Sequence, residues 1–236
     1  MLSIFFACLY YFATGILLIG VSAKVRQYWI TPSPLKIATT PAPTTNTGVA
    51  LRMTREVLLF ESLFKSCRWT WIFGYMFHIT LALVVIRHIR YFIEPIWWWV
   101  ILIQPIGKYA SFVMAAGLAG LLARRVFVDR VRYISAPSDY LMLLLFLGIT
   151  VSGILMTFVD KVDVISLKIF FLGLMYFDWQ PIPSHPLLVI HLLMVAMLMV
   201  IFPFSKLLHI PGVFFSPTRN MADNPRETRH KTRWKQ

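Results

Sequence analysis

The chain has 236 residues, 58% of them hydrophobic and only 14% charged, with a mean hydropathy of +0.69. A soluble domain of this length carries more charge, so the composition excludes an ordinary globular enzyme and points to several membrane crossings. The net charge of +13 does not call for nucleic acid. The basic residues lie between apolar runs, where enrichment of cytoplasmic loops is the simpler cause.

Residues 2–23 form the first predicted span. Val21-Ser22-Ala23 resembles a signal-peptidase site, but no basic residue precedes Lys24, so the run reads as an uncleaved anchor. Residues 24–68 form a long loop whose centre, ATTPAPTTNTG, cannot be a helix interior. From Val49 to Phe64 the apolar residues share one face, and Arg52, Arg55 and Glu56 another. That pattern predicts an amphipathic helix at the membrane surface or against a partner. Span two covers 69–90. Span three covers 96–123, with an interruption at QPIGKY (104–109), and span four covers 139–159. The connection 160–185 holds Asp160, Asp163 and Asp178 and a short interfacial helix expected over Phe170–Phe177. Span five covers 186–209.

The fold class is therefore an all-α membrane protein with five transmembrane helices. Residues 1–215 form the membrane domain, including the 24–68 cytoplasmic loop and its surface helix. Residues 216–236 form a basic cytoplasmic tail, expected to order on binding. With the N-terminus outside and the C-terminus inside, 18 of the 23 Lys and Arg fall on the inner side and five on the outer side or in the upper spans. That asymmetry selects the orientation.

Ionisable groups at membrane depth are costly and mark function. Span two holds His78 and His88, and span five holds His191 and His209. Antiparallel pairing places His88 with His191 near the outer face and His78 with His209 near the inner face. Two imidazoles per iron suit two stacked haems b, each closed to exogenous ligands, and make the bundle a di-haem b bundle. His191 and His209 are 18 residues apart, five turns on one face and about 27 Å in rise. His78 and His88 are 10 apart, about 15 Å in rise. The mismatch of about 12 Å can be absorbed by a kink or end of span five near Pro203 or Pro211, by helix tilt, or by a difference in height between the two ligands of one haem. Arg87 and Arg90 beside His88, and Arg68 at the inner face, are candidates for the haem propionates; snorkelling at the interface is the alternative. His185, before Pro186 in an outer loop, and His230, in the tail, read as structural or solvated.

Lys108 lies 16 residues before Arg124, about 24 Å above the inner rim and roughly 6 Å inside the hydrocarbon. A cation at that level suits a quinone carbonyl; snorkelling past Trp97–Trp99 is the alternative. Cys8 and Cys67 are too few for an iron–sulfur cluster or zinc, and no CxxCH exists for covalent haem; both read as free thiols.

The 10- and 18-residue histidine spacings, with Lys108 twenty positions after His88, resemble the gamma subunit family of respiratory nitrate reductases. The resemblance covers all five spans. It implies two bis-histidine haems b and a quinol site at the outer haem, with menaquinone or ubiquinone as substrate. The motifs TTPAPTTNTGVALRMTREVLLFESLF and RHIRYF resemble more specifically the DsrM family, cytochrome b subunits of the sulfur-metabolising Dsr complex (DsrMKJOP). This likeness implies a multi-pass protein of the bacterial inner membrane within a quinone-linked oxidoreductase complex. It also implies an iron–sulfur partner resembling heterodisulfide reductase (DsrK-like) on the cytoplasmic side, and the further subunits DsrJ, DsrO and DsrP. DsrC would be the indirect redox partner. A nitrate reductase gamma subunit is the alternative within redox chemistry. A proton or metal transporter would call for acidic residues within the spans, where none is expected, and a pure scaffold leaves four membrane histidines without a purpose.

Overall fold

A backbone in hydrocarbon must satisfy its own polar groups, so apolar runs of this length fold as helices. The computed structural model describes residues 1–32, 38 and 40–223. Among the described residues every regular element is helical, and five helices have the length and composition to cross a bilayer. These are α1 (Leu2–Ile30), α4 (Arg68–His88, extended by a 3-10 turn to Tyr91), α5 (Trp98–Phe127), α7 (Pro137–Phe158) and α9 (Pro186–Ile201, extended by a 3-10 turn to Phe204). Between them lie α2 (Asn46–Leu59), α3 (Glu61–Ser66), α6 (Asp129–Tyr133) and α8 (Val164–Met175). The short α10 (His209–Gly212) and α11 (Pro217–Asn220) follow α9.

Several boundaries depart from the sequence expectation. α1 continues past residue 23 because Lys24, Arg26 and Gln27 are good helix formers and no breaker occurs before Pro32. α5 runs through Pro105 without the expected interruption. Beside it, Gln104 donates its amide to Val100 O (3.3 Å) and to Arg87 O of α4 (3.2 Å), a tie between α5 and α4. The interfacial helix forms at Val164–Met175 rather than at 170–177, because Asp163 caps it by accepting from Ile165 N (2.9 Å) and Ser166 N (3.3 Å). Hydrogen bonds from Ser166 hold the Asp163 carboxyl below the usual carboxylate range. The continuous helix expected over 186–209 is broken. Pro203 has no N–H to donate, Ser205 turns extended, and His209 lies on a separate short segment.

The chain divides into two compact units. The first comprises Met1–Thr14 and Cys67–Met199. Its seam is the antiparallel α4–α5 pair. A Cβ added at Gly117 would lie 3.0 Å from Phe73 O and 3.1 Å from Phe77 N, and one at Gly107 would lie 3.1 Å from Leu83 O. Small residues here let the two backbones approach closely. The seam closes at one end where Arg124 donates to Cys67 Sγ (3.4 Å). That bond and, more strongly, the hydrogen bonds with Thr70 hold the Cys67 thiol below its ordinary range. α7 joins α5 through Arg125, whose side chain donates to Ser135 Oγ (2.7 Å) and pairs with Asp139 (3.5 Å) and whose backbone carbonyl accepts from the Tyr140 hydroxyl (2.8 Å). Asp139 is buried in the first turn of α7. The fourth apolar helix therefore does contain an acidic residue, neutralised by its arginine. The core of this unit gathers Phe6, Tyr10, Phe170, Phe171, Leu188 and Leu192. The buried Tyr10 hydroxyl donates to Leu192 O (3.1 Å), pinning α1 to α9.

The second unit comprises the described residues of Gly15–Ser66 and Val200–Gln236. α2 is capped by Thr45 and ends at Phe60 in a left-handed conformation (φ 51°), so the expected 49–64 helix becomes two pieces. The charged residues expected on its outer face are engaged by the start of the tail: Arg52 donates to Thr218 O (2.9 Å), and Arg219 pairs with Glu56 (3.6 Å). Residues 217–220 are helical. His230 and the tail beyond residue 223 lie outside the described residues.

Candidate functional site

Each of the four span histidines uses Nδ1 within its surroundings. His78 Nδ1 bonds Gly74 O (2.7 Å), His88 Nδ1 bonds Val84 O (2.7 Å) and His209 Nδ1 bonds Lys206 O (2.8 Å). A carbonyl oxygen only accepts, so in each case Nδ1 carries the proton and Nε2 holds the lone pair. His191 Nδ1 meets Ser152 Oγ of α7 at 2.8 Å. Three of the four side chains therefore share one tautomer, the one that leaves Nε2 able to ligate a metal while the other nitrogen is held by a hydrogen bond; the hydroxyl that meets His191 can donate or accept. That donor chemistry fits haem iron, and it fits two imidazoles per iron better than a bare ion. Among the described residues, no group of three or more His, Cys, Asp or Glu could hold a metal ion alone.

His88 and His191 both belong to the first unit. His88 is exposed and stands 5.8 Å from the Tyr91 ring; His191 is partly buried, and a Cβ added at Gly153 would lie 3.6 Å from its Cε1. His78 sits mid-way along α4, edge-on to Phe77 at 4.9 Å. His209 belongs to the second unit, where Tyr28, Ser205, Lys206, Leu208, Gly212 and Phe215 surround a cavity of about 580 Å³ beside it.

Among the propionate candidates, Arg90 donates to Gln104 Oε1 (3.1 Å), and the stem of Arg87 packs on Gly107. Gln104 thus ties the His88 end of α4 to α5. Arg68 is exposed at the opposite end of α4. Because Gly107 lies against Leu83 and Arg87, Lys108 stands level with the last turn of α4, which bears His88. The Lys108 ammonium is seated over the ring of Phe158 (4.8 Å) and near that of Tyr109 (5.8 Å), with Phe112 stacked beside Phe158 (4.9 Å). His185 pairs with Asp160 (2.9 Å), joining the two ends of the α7–α9 connection.

Sequence reasoning missed two polar residues here. Gln104 was visible only as part of an expected interruption. Ser152 gave no signal, because a serine in an apolar helix ordinarily bonds its own backbone.

Residues 61–231 match the family described as nitrate reductase gamma subunit. The chain belongs to that family. It is also similar to two curated proteins, each described as an Hdr-like menaquinol oxidoreductase cytochrome b-like subunit. The Archaeoglobus fulgidus protein is 35% identical over 95% of this chain and 81% of its own length. The Archaeoglobus profundus protein is 32% identical over 99% of this chain and 83% of its own length. Membership in the gamma subunit family accords with the five apolar helices of a multi-pass membrane protein.

Proposed function

We propose that this chain is the di-haem cytochrome b subunit of a quinone-linked oxidoreductase complex, passing electrons between the quinone pool and a cytoplasmic iron–sulfur partner. The observation that supports it best is the shared tautomer of His78, His88 and His209, each leaving Nε2 able to ligate, with His191 Nδ1 likewise held by a hydrogen bond to Ser152 Oγ. His88 and His191 would hold one haem b, and His78 and His209 the other. Haem b with two imidazole ligands supplies a one-electron couple and no open coordination site.

The chain's own residues do the rest. Backbone carbonyls fix three of the imidazoles. Arg87, Arg90 and Arg68 are the candidate propionate partners, and Gln104 orients Arg90. Lys108 presents a cation beside the flat faces of Tyr109, Phe112 and Phe158, which suits hydrogen bonding to the carbonyl of an aromatic dione. The name of the two Archaeoglobus relatives supports menaquinol as the quinone. The same name supports membership of an Hdr-like complex; the likeness of residues 39–64 and of RHIRYF to the DsrM family is what favours an iron–sulfur partner resembling heterodisulfide reductase, in a Dsr complex of sulfur metabolism with DsrK-, DsrJ-, DsrO- and DsrP-like subunits and DsrC downstream. The N-terminus would lie outside and the C-terminus inside a bacterial inner membrane.

The deciding experiment is the reduced-minus-oxidised spectrum of membranes carrying wild type or His191→Ala. Wild type is expected to show two haems b, and the variant to lose about half of the absorbance. A His191→Ala protein with undiminished haem would end the reading.

A further inference from the structure

We infer that Ser152 is a positioning residue for His191, setting the ring's tautomer and plane from a neighbouring helix. The inference rests on the haem-ligand reading of His191 above. The Ser152 hydroxyl has one proton and three neighbours. Its Oγ lies 2.8 Å from Gly148 O, 3.0 Å from Ile149 O and 2.8 Å from His191 Nδ1. The two carbonyls can only accept, and we assign the hydroxyl proton to them. The third contact is then a hydrogen bond from His191 Nδ1–H to Ser152 Oγ. The Nε2 lone pair follows from that assignment.

The other three histidines obtain the same result from carbonyls three or four residues back in their own chain segments. Such an acceptor travels with the helix that bears the ring. Ser152 does not: it belongs to α7, whereas His191 belongs to α9. It is also buried, 5% exposed, and next to Gly153, where an added Cβ would meet the imidazole at 3.6 Å. The ring of His191 is therefore oriented by the α7–α9 packing. An acceptor on Nδ1–H also increases the electron donation of an imidazole to its metal, so Ser152 stabilises the oxidised form of the haem it serves.

The test uses the full chain in its native complex, with Ser152→Ala and Ser152→Thr compared with wild type. Threonine fits: Thr150 and Thr157 of the same helix already bond carbonyls four residues back at 2.7 Å. The readouts are visible-monitored redox titration and low-temperature EPR of the low-spin haems. Ser152→Ala is expected to raise the midpoint potential of one haem and alter its EPR signal, leaving the other haem unchanged. Ser152→Thr is expected to restore both. Loss of one haem in Ser152→Ala with retention in Ser152→Thr supports the inference equally. It is overturned if Ser152→Ala leaves potential and EPR signal at wild-type values. Equal loss of haem in both variants also overturns it, because that marks a packing role. A wild-type complex without haem b would instead sink the proposed function, a separable result.

Discussion

At the scale of single residues, Lys108 is the clearest test of the quinone reading. Its ammonium rests on aromatic faces rather than on a carboxylate, so its charge is not neutralised by an acidic partner there. Losing a charged hydrogen bond costs about 1.5–3 kcal/mol. Lys108→Ala should therefore raise the KM for quinol by roughly tenfold or more, with haem content unchanged. Lys108→Arg should recover only part of the loss, because a planar fork does not replace a point donor. Quinol-driven haem reduction in membranes measures both; wild-type KM in the alanine variant would remove Lys108 from the site. His78, His88, His191, His209 and Lys108 were legible because ionisable groups are rare in apolar runs. Ser152 was not. A neutral hydroxyl costs little in a membrane helix, and only the fold reveals that its acceptor lone pair faces an imidazole on another helix.

At the scale of elements, the α4–α5 seam depends on absent side chains. A Cβ at Gly117 would press on the backbone of Phe73 and Phe77, which cannot swing aside as a side-chain tip can. Gly117→Val should cost about 1–3 kcal/mol, as overpacking does. It should also lower the haem content, because α4 holds a ligand of each proposed pair. Thermal denaturation in detergent, followed at the haem absorbance, reads both effects; unaltered melting would show that the seam is slack. The five apolar helices were legible from length and hydropathy alone. The boundaries that were missed have local causes. Asp163 recruits Val164–Ile169 into α8 through a cap of two N–H groups. Phe60 adopts a left-handed turn that no glycine announces. Pro105 lies inside α5, whereas Pro203 ends the helix where Ser205 takes an extended conformation.

At the scale of the molecule, the charge asymmetry of 18 against five basic residues predicts the orientation. A periplasm-dependent alkaline phosphatase inserted in the connection 160–185 should be active, and a fluorescent protein fused after Gln236 should fold in the cytoplasm. The reverse pattern would invert the proposed path from quinone to iron–sulfur partner. The glycine-lined seam has one more consequence. Two imidazoles ride on α4, a single rod locked along its length, whereas His191 and His209 stand on opposite sides of a break in the chain. Any disturbance of the rod would be shared by both proposed metal centres, while one on either side of the break would reach a single histidine, so the second pair would give each proposed centre an independent handle.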